Sequence, residues 1–418
     1  MSSQKKIIRI LTQMTITPII LTDYCKSKKL LMLTATEQDI PFILAAKKLG
    51  YFVITTGNRP EYAGHRYGDQ YVNADFSDYE GMVELCRKMG IDALSWATSD
   101  PCALAACYIG EKLGLKGHDT FENAQIIHLK DRFKEFAARN GVKTPLARYF
   151  TDVAEAKAFS DDASWPLIVK PVDLAGGKGV SVVRTPEEYL RAVDFAFGKS
   201  FKKRIVAEPF IEGTLHSLNT FIVDRKVRAF CTANDYPYLN KYMTTSGVSP
   251  ADRWEEAVKT LIPETERVAE LLGLVDGQLH MQYIMRDGEP FIIEMMRRNI
   301  GNYWSSMIND AVGVNWAEWC IRAEAGLDCH HIPASRMSKG FYGYHMMQAA
   351  QNGVFRGIEI EPEFEKHVYQ VVMWAQPGHS VSDYLYDKLG NVLFHFDTAE
   401  EKDWFMPRIN ELVKVIVE

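Results

Sequence analysis

The sequence lacks the features that mark several common classes of protein. Its seven cysteines are scattered and include no C-x-x-C pair, which argues against a disulfide framework and against a structural zinc site. No stretch of about 18 apolar residues occurs, so no membrane span is expected. The net charge of −6 gives no basic surface for nucleic acid or an anionic membrane. The cytoplasm is the expected compartment.

Two familiar nucleotide-binding motifs are also missing. The loop after the first predicted strand has no G-x-G-x-x-G, so the N-terminal layer is expected to be Rossmann-like without the dinucleotide motif. A glycine-rich loop does occur over residues 173–181, but no helix-opening Lys-Ser/Thr pair follows its glycines. The loop therefore differs from the phosphate loop of the G-x-x-x-x-G-K-[ST] type.

The chain of 418 residues is too long for one ordinary core, and several domains are expected. Strands that alternate with glycine-terminated helices near the N-terminus predict a parallel sheet with crossover helices. The rest mixes helices with hairpins, so the predicted fold class combines α/β and α+β units. We predict an N-terminal extension (1–28), a Rossmann-like domain (29–118), a small lid subdomain (119–205), a large subdomain (206–330) and a C-terminal α+β unit (331–418).

Four segments carry predictions about local structure that the fold can test directly. Helical patterns predict single helices over 121–139, 305–325 and 399–416. The stretch from Asn234 to Ser249 has no clear period, and a loop of that length is usually functional or disordered. Its tyrosines, at positions 236, 238 and 242, could form an acceptor pocket or be aromatics of a disordered loop.

A lysine and a glycine-rich loop follow a β-branched run. The run Ile168-Val169-Lys170-Pro171 predicts a strand, and the loop after it contains Gly176, Gly177, Gly179 and Ser181. That order places an ammonium group beside flexible backbone N–H groups, an arrangement that suits a polyphosphate. An ordinary hairpin turn would give a similar pattern, so both interpretations stay open at this point.

A second candidate feature is a hairpin around residues 286–288. Its two predicted strands carry Gln282 and Glu294, and Glu294 emerges among apolar neighbours. A buried carboxylate must pair with a cation or with hydrogen-bond donors, or become neutral. Mg²⁺ bridging phosphates would suit it, because this ion uses one or two protein oxygens besides those of a nucleotide. The alternative is a structural ion pair between Glu294 and Arg298.

Taken in order along the chain, these features resemble the ATP-grasp superfamily. The resemblance rests on Lys130, Lys170, the glycine loop, the segment 208–213 and Glu294-x-x-x-Arg298, and it covers about residues 30 to 400. That superfamily includes carboxylate–amine ligases, L-amino acid ligases, biotin carboxylase and carbamoyl-phosphate synthetase. The resemblance implies ATP held between two α+β units, beneath the glycine loop as a lid.

The resemblance also implies roles for individual residues in nucleotide binding. Lys170 would contact the α-phosphate and adenine N7, and Glu208 would be the adenine hinge residue. Leu215 stands where many members have a ribose-binding Glu, so ribose contact could fall to Glu212. The implied ATP contacts are Lys130, Lys170, Gly176, Gly177, Gly179, Ser181, Glu208, Phe210, Ile211 and Glu212.

The metal and catalytic roles follow from the same resemblance. Glu294 matches the bridging Mg²⁺ ligand, and Mn²⁺ is an alternative ion. Gln282 stands where most members have Glu or Asp, so it would hold an ion more weakly. Met296 stands where Asn is usual, a departure from normal two-metal geometry. Arg298 matches the arginine that steadies an acyl phosphate, and with Lys170 it is the expected catalytic pair; Arg297 could bind a substrate carboxylate or lie on the opposite strand face.

The expected activity is therefore an ATP-dependent ligation. ATP would phosphorylate a small-molecule carboxylate, and an amine would attack the acyl phosphate to give an amide or peptide, ADP and phosphate. One alternative is a bicarbonate-activating enzyme similar to carbamoyl-phosphate synthetase or biotin carboxylase. Another is a non-catalytic nucleotide-binding regulator. A homodimer without nucleic-acid or membrane partners is expected.

Overall fold

The computed structural model describes residues 27–174 and 176–418. The predicted N-terminal extension lies outside them, apart from its last two residues. Within the described part of the chain, no helix is both long and apolar enough to cross a membrane.

The N-terminal layer is a four-stranded parallel sheet in the order β3-β2-β1-β4, as the alternation of strands and helices predicts. The helix Tyr79–Met89 ends where Gly90 adopts the left-handed conformation that glycine tolerates best. The elements are β1 (Lys29–Met32), α1 (Ile40–Lys48), β2 (Phe52–Gly57), β3 (Gln70–Asn73), α2 (Tyr79–Met89), β4 (Ala93–Ser95) and α3 (Asp100–Leu113).

A small α+β unit follows, with an antiparallel sheet in the order β5-β8-β6-β7. The single helix predicted over 121–139 is wrong, because Leu129 is buried in an extended conformation between two helices. The elements are α4 (Phe121–His128), α5 (Lys130–Asn140), β5 (Arg148–Phe150), α6 (Val153–Ala158), β6 (Leu167–Pro171), β7 (Ser181–Val183), α7 (Pro186–Lys199) and β8 (Ile205–Pro209).

The next part of the chain builds most of a large antiparallel sheet. The segment predicted as a loop over 234–249 is a loop only over 238–243; residues before it end β10 and residues after it form β11, and the two strands pair with each other. Tyr236 and Tyr238 stack at 6.4 Å and pack on a C-terminal apolar cluster, which explains how an irregular pattern forms a strand. The elements are β9 (Thr214–Val223), β10 (Lys226–Pro237), β11 (Thr244–Ser249), α8 (Trp254–Leu272), β12 (Gly277–Arg286) and β13 (Glu289–Met296).

The C-terminal third completes this sheet, whose order is β13-β12-β9-β10-β11-β14-β18-β16, and adds a small sheet β17-β15-β19. The predicted helix over 305–325 is two helices, because Gly313 is left-handed and Asn315 caps a new start. The elements are α9 (Trp304–Val312), α10 (Trp316–Glu324), β14 (Phe341–Met347), β15 (Gly353–Ile360), α11 (Pro362–Glu365), β16 (Val368–Met373), β17 (Ser380–Val381), β18 (Gly390–Phe396), α12 (Ala399–Phe405), α13 (Ile409–Leu412) and β19 (Val413–Val417).

The predicted C-terminal helix over 399–416 is wrong from Val413 onward. Helical turns continue from α12 through α13 to Leu412, and the residues after them form β19, which pairs antiparallel with β15. The run Val413-Lys-Val-Ile-Val417 is rich in β-branched residues, which favour a pleated strand over a helix.

The main core lies where the parallel sheet approaches the eight-stranded antiparallel sheet. One apolar cluster joins residues of the parallel sheet, of helices α9 and α10, and of strands β9 and β10. Trp316 is fully buried in that cluster, and its indole N–H donates to Gln278 Oε1 on β12 at 2.6 Å. The contact ties the helical layer to the sheet that carries the candidate site.

Candidate active site

The hairpin of β12 and β13 places Gln282 directly opposite Glu294, as the sequence predicts. Gln282 Nε2 donates to Asp235 Oδ2 at 3.1 Å and to Thr244 Oγ1 at 3.3 Å. Glu294 Oε2 lies 3.8 Å from Lys130 Nζ at the start of α5. The alternative pairing of Glu294 with Arg298 is not the one observed, since Arg298 pairs elsewhere.

Two further lysines meet at one buried carboxylate. Glu208, near the end of β8, forms ion pairs with Lys170 of β6 and, at 2.8 Å, with Lys134 of α5. Burial lowers the pKa of Lys134 to about 8, although Glu208 opposes the shift. Burial also raises the pKa of Glu208, but the two lysines outweigh that effect and hold it below its ordinary value.

Lys134 is a residue that the motif analysis missed. It lies four residues after Lys130 in α5, and side chains at this spacing share one face of a helix. The four-residue spacing from Lys130 was the feature of the sequence from which Lys134 could have been predicted. Together, Lys130, Lys134 and Lys170 form a group that we call the lysine cluster.

The glycine loop closes onto the segment between β10 and β11. Gly177 has φ +73°, and a Cβ there would lie 2.6 Å from Tyr242 Cβ, so the close approach requires glycine. The Tyr242 hydroxyl accepts a hydrogen bond from the Val182 amide at 3.1 Å. On the other side, Lys130 Nζ donates to the Leu174 carbonyl at 2.8 Å. The loop is thus tied to both walls of the site.

The other glycines and the end of β8 complete this side. Gly176 and Gly179 are also left-handed, with φ +67° and +75°, and Ser181 begins β7 opposite Val169. The Phe210 amide already donates to the Pro166 carbonyl at 3.0 Å. Glu212 is exposed and pairs with Arg184 at 3.0 Å.

Two neighbouring arginines after β13 have different surroundings. Arg297 is buried and donates to Asp119 at 2.7 Å and to backbone carbonyls, so neither position expected for it from the sequence is observed. Arg298 donates to Asp100 Oδ2 at 3.2 Å, and His128 Nδ1 lies 2.9 Å from the other carboxylate oxygen. Burial opposes the ionisation of Asp100, but Arg298 and His128 hold its pKa well below the usual range.

Polar groups beyond Arg298 extend the site toward the C-terminal unit. Asn302 Oδ1 accepts a hydrogen bond from Lys388 Nζ at 2.9 Å, and its Nδ2 donates to the Thr244 carbonyl at 3.4 Å. The backbone amide of Asn302 donates to Gln38 Oε1 at 2.7 Å. No local sequence motif indicated that Asp100, Asp235 and Lys388 would lie near the candidate site.

A cavity of about 230 Å³ lies next to Gln38, at the carboxyl ends of the parallel strands. Ligands of open α/β sheets usually bind at this edge. Polar side chains line much of the cavity, among them Thr34, Thr36, Asn58, Arg59, Thr98 and Ser99.

The donor set limits which metal site the residues could form. Within 27–174 and 176–418, no group of three or more His, Cys, Asp or Glu side chains could hold an ion by itself. Glu294 and the amide oxygen of Gln282 offer two hard oxygens on adjacent strands. Such a pair fits Mg²⁺ if phosphate and water oxygens supply the remaining ligands.

Known proteins match both the sequence and the fold. Residues 129–247 match the model of the phosphoribosylglycinamide synthetase ATP-grasp (A) domain. Phosphoribosylamine–glycine ligase of Listeria monocytogenes is 28% identical over 253 residues, which cover 56% of this chain and 60% of that protein. The chain thus spans about three fifths of the length of the glycine ligases that it matches.

Two further relatives align over longer stretches. Alanine–anticapsin ligase of Bacillus subtilis is 23% identical over 360 residues, 75% of this chain and 74% of that protein. The crystal structure of L-amino acid ligase from Bacillus licheniformis superposes with a TM-score of 0.78 at 21% identity, covering 94% of this chain and 100% of that one. Residues 129–247 thus match an ATP-grasp domain, and the described chain shares the fold of the solved L-amino acid ligase.

Proposed function

We propose that the protein is an ATP-dependent carboxylate–amine ligase. It phosphorylates a carboxylate and lets an amine attack the acyl phosphate, which gives an amide or peptide, ADP and phosphate. One observation carries the proposal: beside the glycine loop, Lys130 faces Glu294, which lies opposite Gln282. Phosphoryl transfer requires cations, a loop that covers the phosphates and a metal ligand.

The lysine cluster and the glycine loop bind the triphosphate in this proposal. Lys130 and Lys170 donate to phosphate oxygens, and the loop from Gly176 to Ser181 covers the terminal phosphates. The adenine ring lies beside Glu208 at the end of β8. The Phe210 amide already donates to the Pro166 carbonyl. We therefore assign the contact with the adenine base to the Ile211 amide. Ribose contact falls to Glu212.

Glu294 and Gln282 would hold Mg²⁺, with Mn²⁺ as the alternative ion. When bound there, the ion would neutralise charge on the phosphates. The protein's own contribution is to fix both ligands: the strand register places Glu294, and Asp235 and Thr244 hold the Gln282 amide group. The paired amide nitrogen directs Gln282 Oε1 to act as the ligand.

Arg298 supports the chemical step in this proposal. It follows Glu294 by four residues, and Asp100 fixes its Nε. A planar guanidinium can then hold the developing charge on a carbonyl oxygen and a phosphoryl group. The closed glycine loop would exclude water and protect the acyl phosphate from hydrolysis.

The substrates are proposed to be amino acids or small peptides. The named relatives, a glycine ligase, an alanine–anticapsin ligase and an L-amino acid ligase, support this class. The polar cavity beside Gln38 is of a size suited to one small molecule. Bicarbonate activation and a non-catalytic regulatory role are the alternatives.

A screen for ADP release tests the proposed function. Mg·ATP is incubated with amino acids in pairs, and products are identified by mass spectrometry. We expect ADP and an amide, whatever the bicarbonate concentration. Stoichiometric AMP would contradict acyl-phosphate chemistry, a requirement for bicarbonate would favour the carboxylase alternative, and ATP binding without any ADP release would favour the regulatory one.

The Glu294→Gln variant links the activity to this site. Loss of the charged ligand should lower turnover by about a hundredfold or more, as when other preorganised charge-stabilising groups are removed. The matched control is Glu289→Gln on the same strand, because Glu289 is exposed and pairs with Lys143 at the surface. Normal turnover in Glu294→Gln would place the active site elsewhere.

A further inference from the structure

The segment between β17 and β18 brings a lysine to the edge of the candidate site. Lys388 is partly buried, and its Nζ donates to the neutral Asn302 Oδ1 at 2.9 Å. Within the described residues, no carboxylate lies within 4.0 Å of this ammonium group. A buried cation without a counter-ion costs free energy unless an anion joins it.

Two other cations face Lys388. Burial lowers the pKa of Lys388 to about 8, and Arg298 and then Lys178 add to the shift. Lys178 belongs to the glycine loop, and its Nζ lies 5.1 Å from the ring centroid of Tyr386, two residues before Lys388. Asp100 balances the charge of Arg298, so the cluster of Lys178, Arg298 and Lys388 keeps an excess of positive charge.

Hydrogen bonds connect this three-cation cluster to the proposed metal ligand. Gln282 Nε2 donates to Thr244 Oγ1 at 3.3 Å, and Asn302 Nδ2 donates to the Thr244 carbonyl at 3.4 Å. Asn302 in turn accepts from Lys388. Lys388 is therefore joined to Gln282 through two intervening residues, Thr244 and Asn302.

We propose that Lys388 binds the carboxylate of the acid substrate, with Arg298 and Lys178 bordering the same anion site. The inference rests on the proposed function and names a substrate contact within it. In the proposed function the phosphate oxygens are bound by the lysine cluster, whose Lys130 lies 3.8 Å from Glu294. A carboxylate at the three-cation cluster would offset the repulsion among its members and would lie beside the guanidinium that steadies its phosphorylated form.

The first test replaces Lys388 by glutamine in the full chain. The control is Lys366→Gln, the same change at an exposed lysine of the C-terminal unit. With the acid that the ADP-release screen identifies, KM for that acid should rise about tenfold or more, because a charge-assisted hydrogen bond is lost. Calorimetric affinity for Mg·ATP should stay within about threefold of wild type, and Lys388→Arg should recover part of the loss.

Other outcomes of this test overturn the proposal. A fall in Mg·ATP affinity with KM for the acid unchanged would assign Lys388 to the nucleotide phosphates. Unchanged KM and unchanged affinity would leave Lys388 as a support for Asn302. A loss of kcat and thermal stability without a change in KM would likewise mean that Lys388 only supports Asn302.

A second measurement uses the wild-type chain and needs no turnover. N-hydroxysuccinimide acetate modifies lysines, and peptide mass spectrometry gives the rates at Lys388 and Lys366. The probes are each of the twenty amino acids with Mg·ADP, Mg·ADP alone and inorganic phosphate. We expect at least one amino acid to slow modification of Lys388 severalfold beyond Mg·ADP alone, with no effect at Lys366.

The two proposals can fail separately. Protection of Lys388 by an amino acid, without ADP release in any pair, would contradict the ligase function and retain the carboxylate site. ADP release without protection of Lys388 by any amino acid would retain the ligase and refute the site. Full protection by Mg·ADP alone or by inorganic phosphate would also refute it, because the cluster would then be a phosphate site.

Discussion

Lys134 and Lys388 are both lysines whose pKa burial lowers to about 8, but their neighbours differ. Lys134 shares the carboxylate of Glu208 with Lys170, and that carboxylate raises its pKa against the effect of burial. Among the described residues, the partner of Lys388 is the neutral oxygen of Asn302, and its charged neighbours lower its pKa further. Similar pKa values thus arise from opposite balances of charge.

The difference shows how the two sides of one site can be prepared for different ligands. On the side of the lysine cluster, Glu208 offsets charge permanently, so that wall is stable without a ligand. On the side of the three-cation cluster, Asp100 is the one carboxylate that residues 27–174 and 176–418 pair with these cations. Fixed charges aimed at a future anion need no rearrangement when it arrives. We expect substitutions on the first side to affect folding and nucleotide affinity, and those on the second to affect turnover and substrate binding.

The largest expected effect comes from removing the shared carboxylate. Glu208→Gln leaves Lys134 and Lys170 facing each other in a buried position. Breaking a buried ion pair at one partner usually costs about 3–5 kcal/mol, and loss of the Lys134 proton would relieve part of that cost. Denaturant unfolding of the full chain measures it.

The control for that change is Glu212→Gln, four residues later and exposed. Surface ion pairs of this kind contribute little, so its unfolding midpoint should match wild type. Equal stability of both variants would mean that Glu208 does not balance the lysine cluster.

The next effect tests the substrate side. Arg298→Lys keeps the charge but loses the planar fork, so turnover should fall by about a hundredfold. Mg·ATP affinity should stay within about threefold, a difference below about 0.7 kcal/mol. Steady-state kinetics and calorimetry measure the two quantities, with Arg286→Lys at the exposed hairpin turn as the control. Near-normal kcat would mean that Arg298 only balances Asp100.

The third effect returns to the nucleotide side. Lys170→Ala removes a charge-assisted hydrogen bond of about 1.5–3 kcal/mol, so Mg·ATP affinity should fall about tenfold or more. Glu208 would keep Lys134 as its partner, so the chain should still fold. Unchanged affinity in a folded variant would remove Lys170 from the nucleotide site.

The sequence was sufficient to predict the fold class, with its N-terminal parallel sheet and the later hairpin of β12 and β13. Gln282 and Glu294 were predictable as a pair, because a hairpin fixes which residues face each other. Asp235 and Lys388 were not, since they reach the site through strand order and a distant loop. Arg297 and Arg298 are adjacent in sequence, and no local pattern shows that Arg297 pairs with the buried Asp119 while Arg298 pairs with Asp100.

Local structure was hardest to predict where tertiary contacts oppose the local pattern. The helical periodicity of 121–139 continues through Leu129, yet burial of that side chain in an extended backbone divides the helix. The segment after Asn234 has no strand pattern in its sequence. It is nevertheless partly strand, because Tyr236 and Tyr238 pack against a distant C-terminal cluster. Such contacts become visible only when the whole chain is folded.

The smallest expected effect concerns Gln282, where the two sides of the site meet. On sequence grounds, a carboxylate at this position should hold the metal more tightly than an amide. The structure predicts the opposite for Gln282→Glu alone. The amide nitrogen that donates to Asp235 Oδ2 at 3.1 Å would become a second carboxylate oxygen, and like charges at that distance repel.

We therefore expect Gln282→Glu to weaken Mg·ATP binding by severalfold, and Asp235→Asn added to it to restore or exceed wild-type affinity. The added amide can donate where the carboxylate could only accept. Calorimetry on the wild type, the two single variants and the double variant gives the coupling free energy, expected in the range of about 0.5–3 kcal/mol for residues in contact. If Gln282→Glu alone binds Mg·ATP more tightly, the attraction between the new carboxylate and the bound ion outweighs its repulsion from Asp235. The ion, and not Asp235, would then decide how this side chain is oriented.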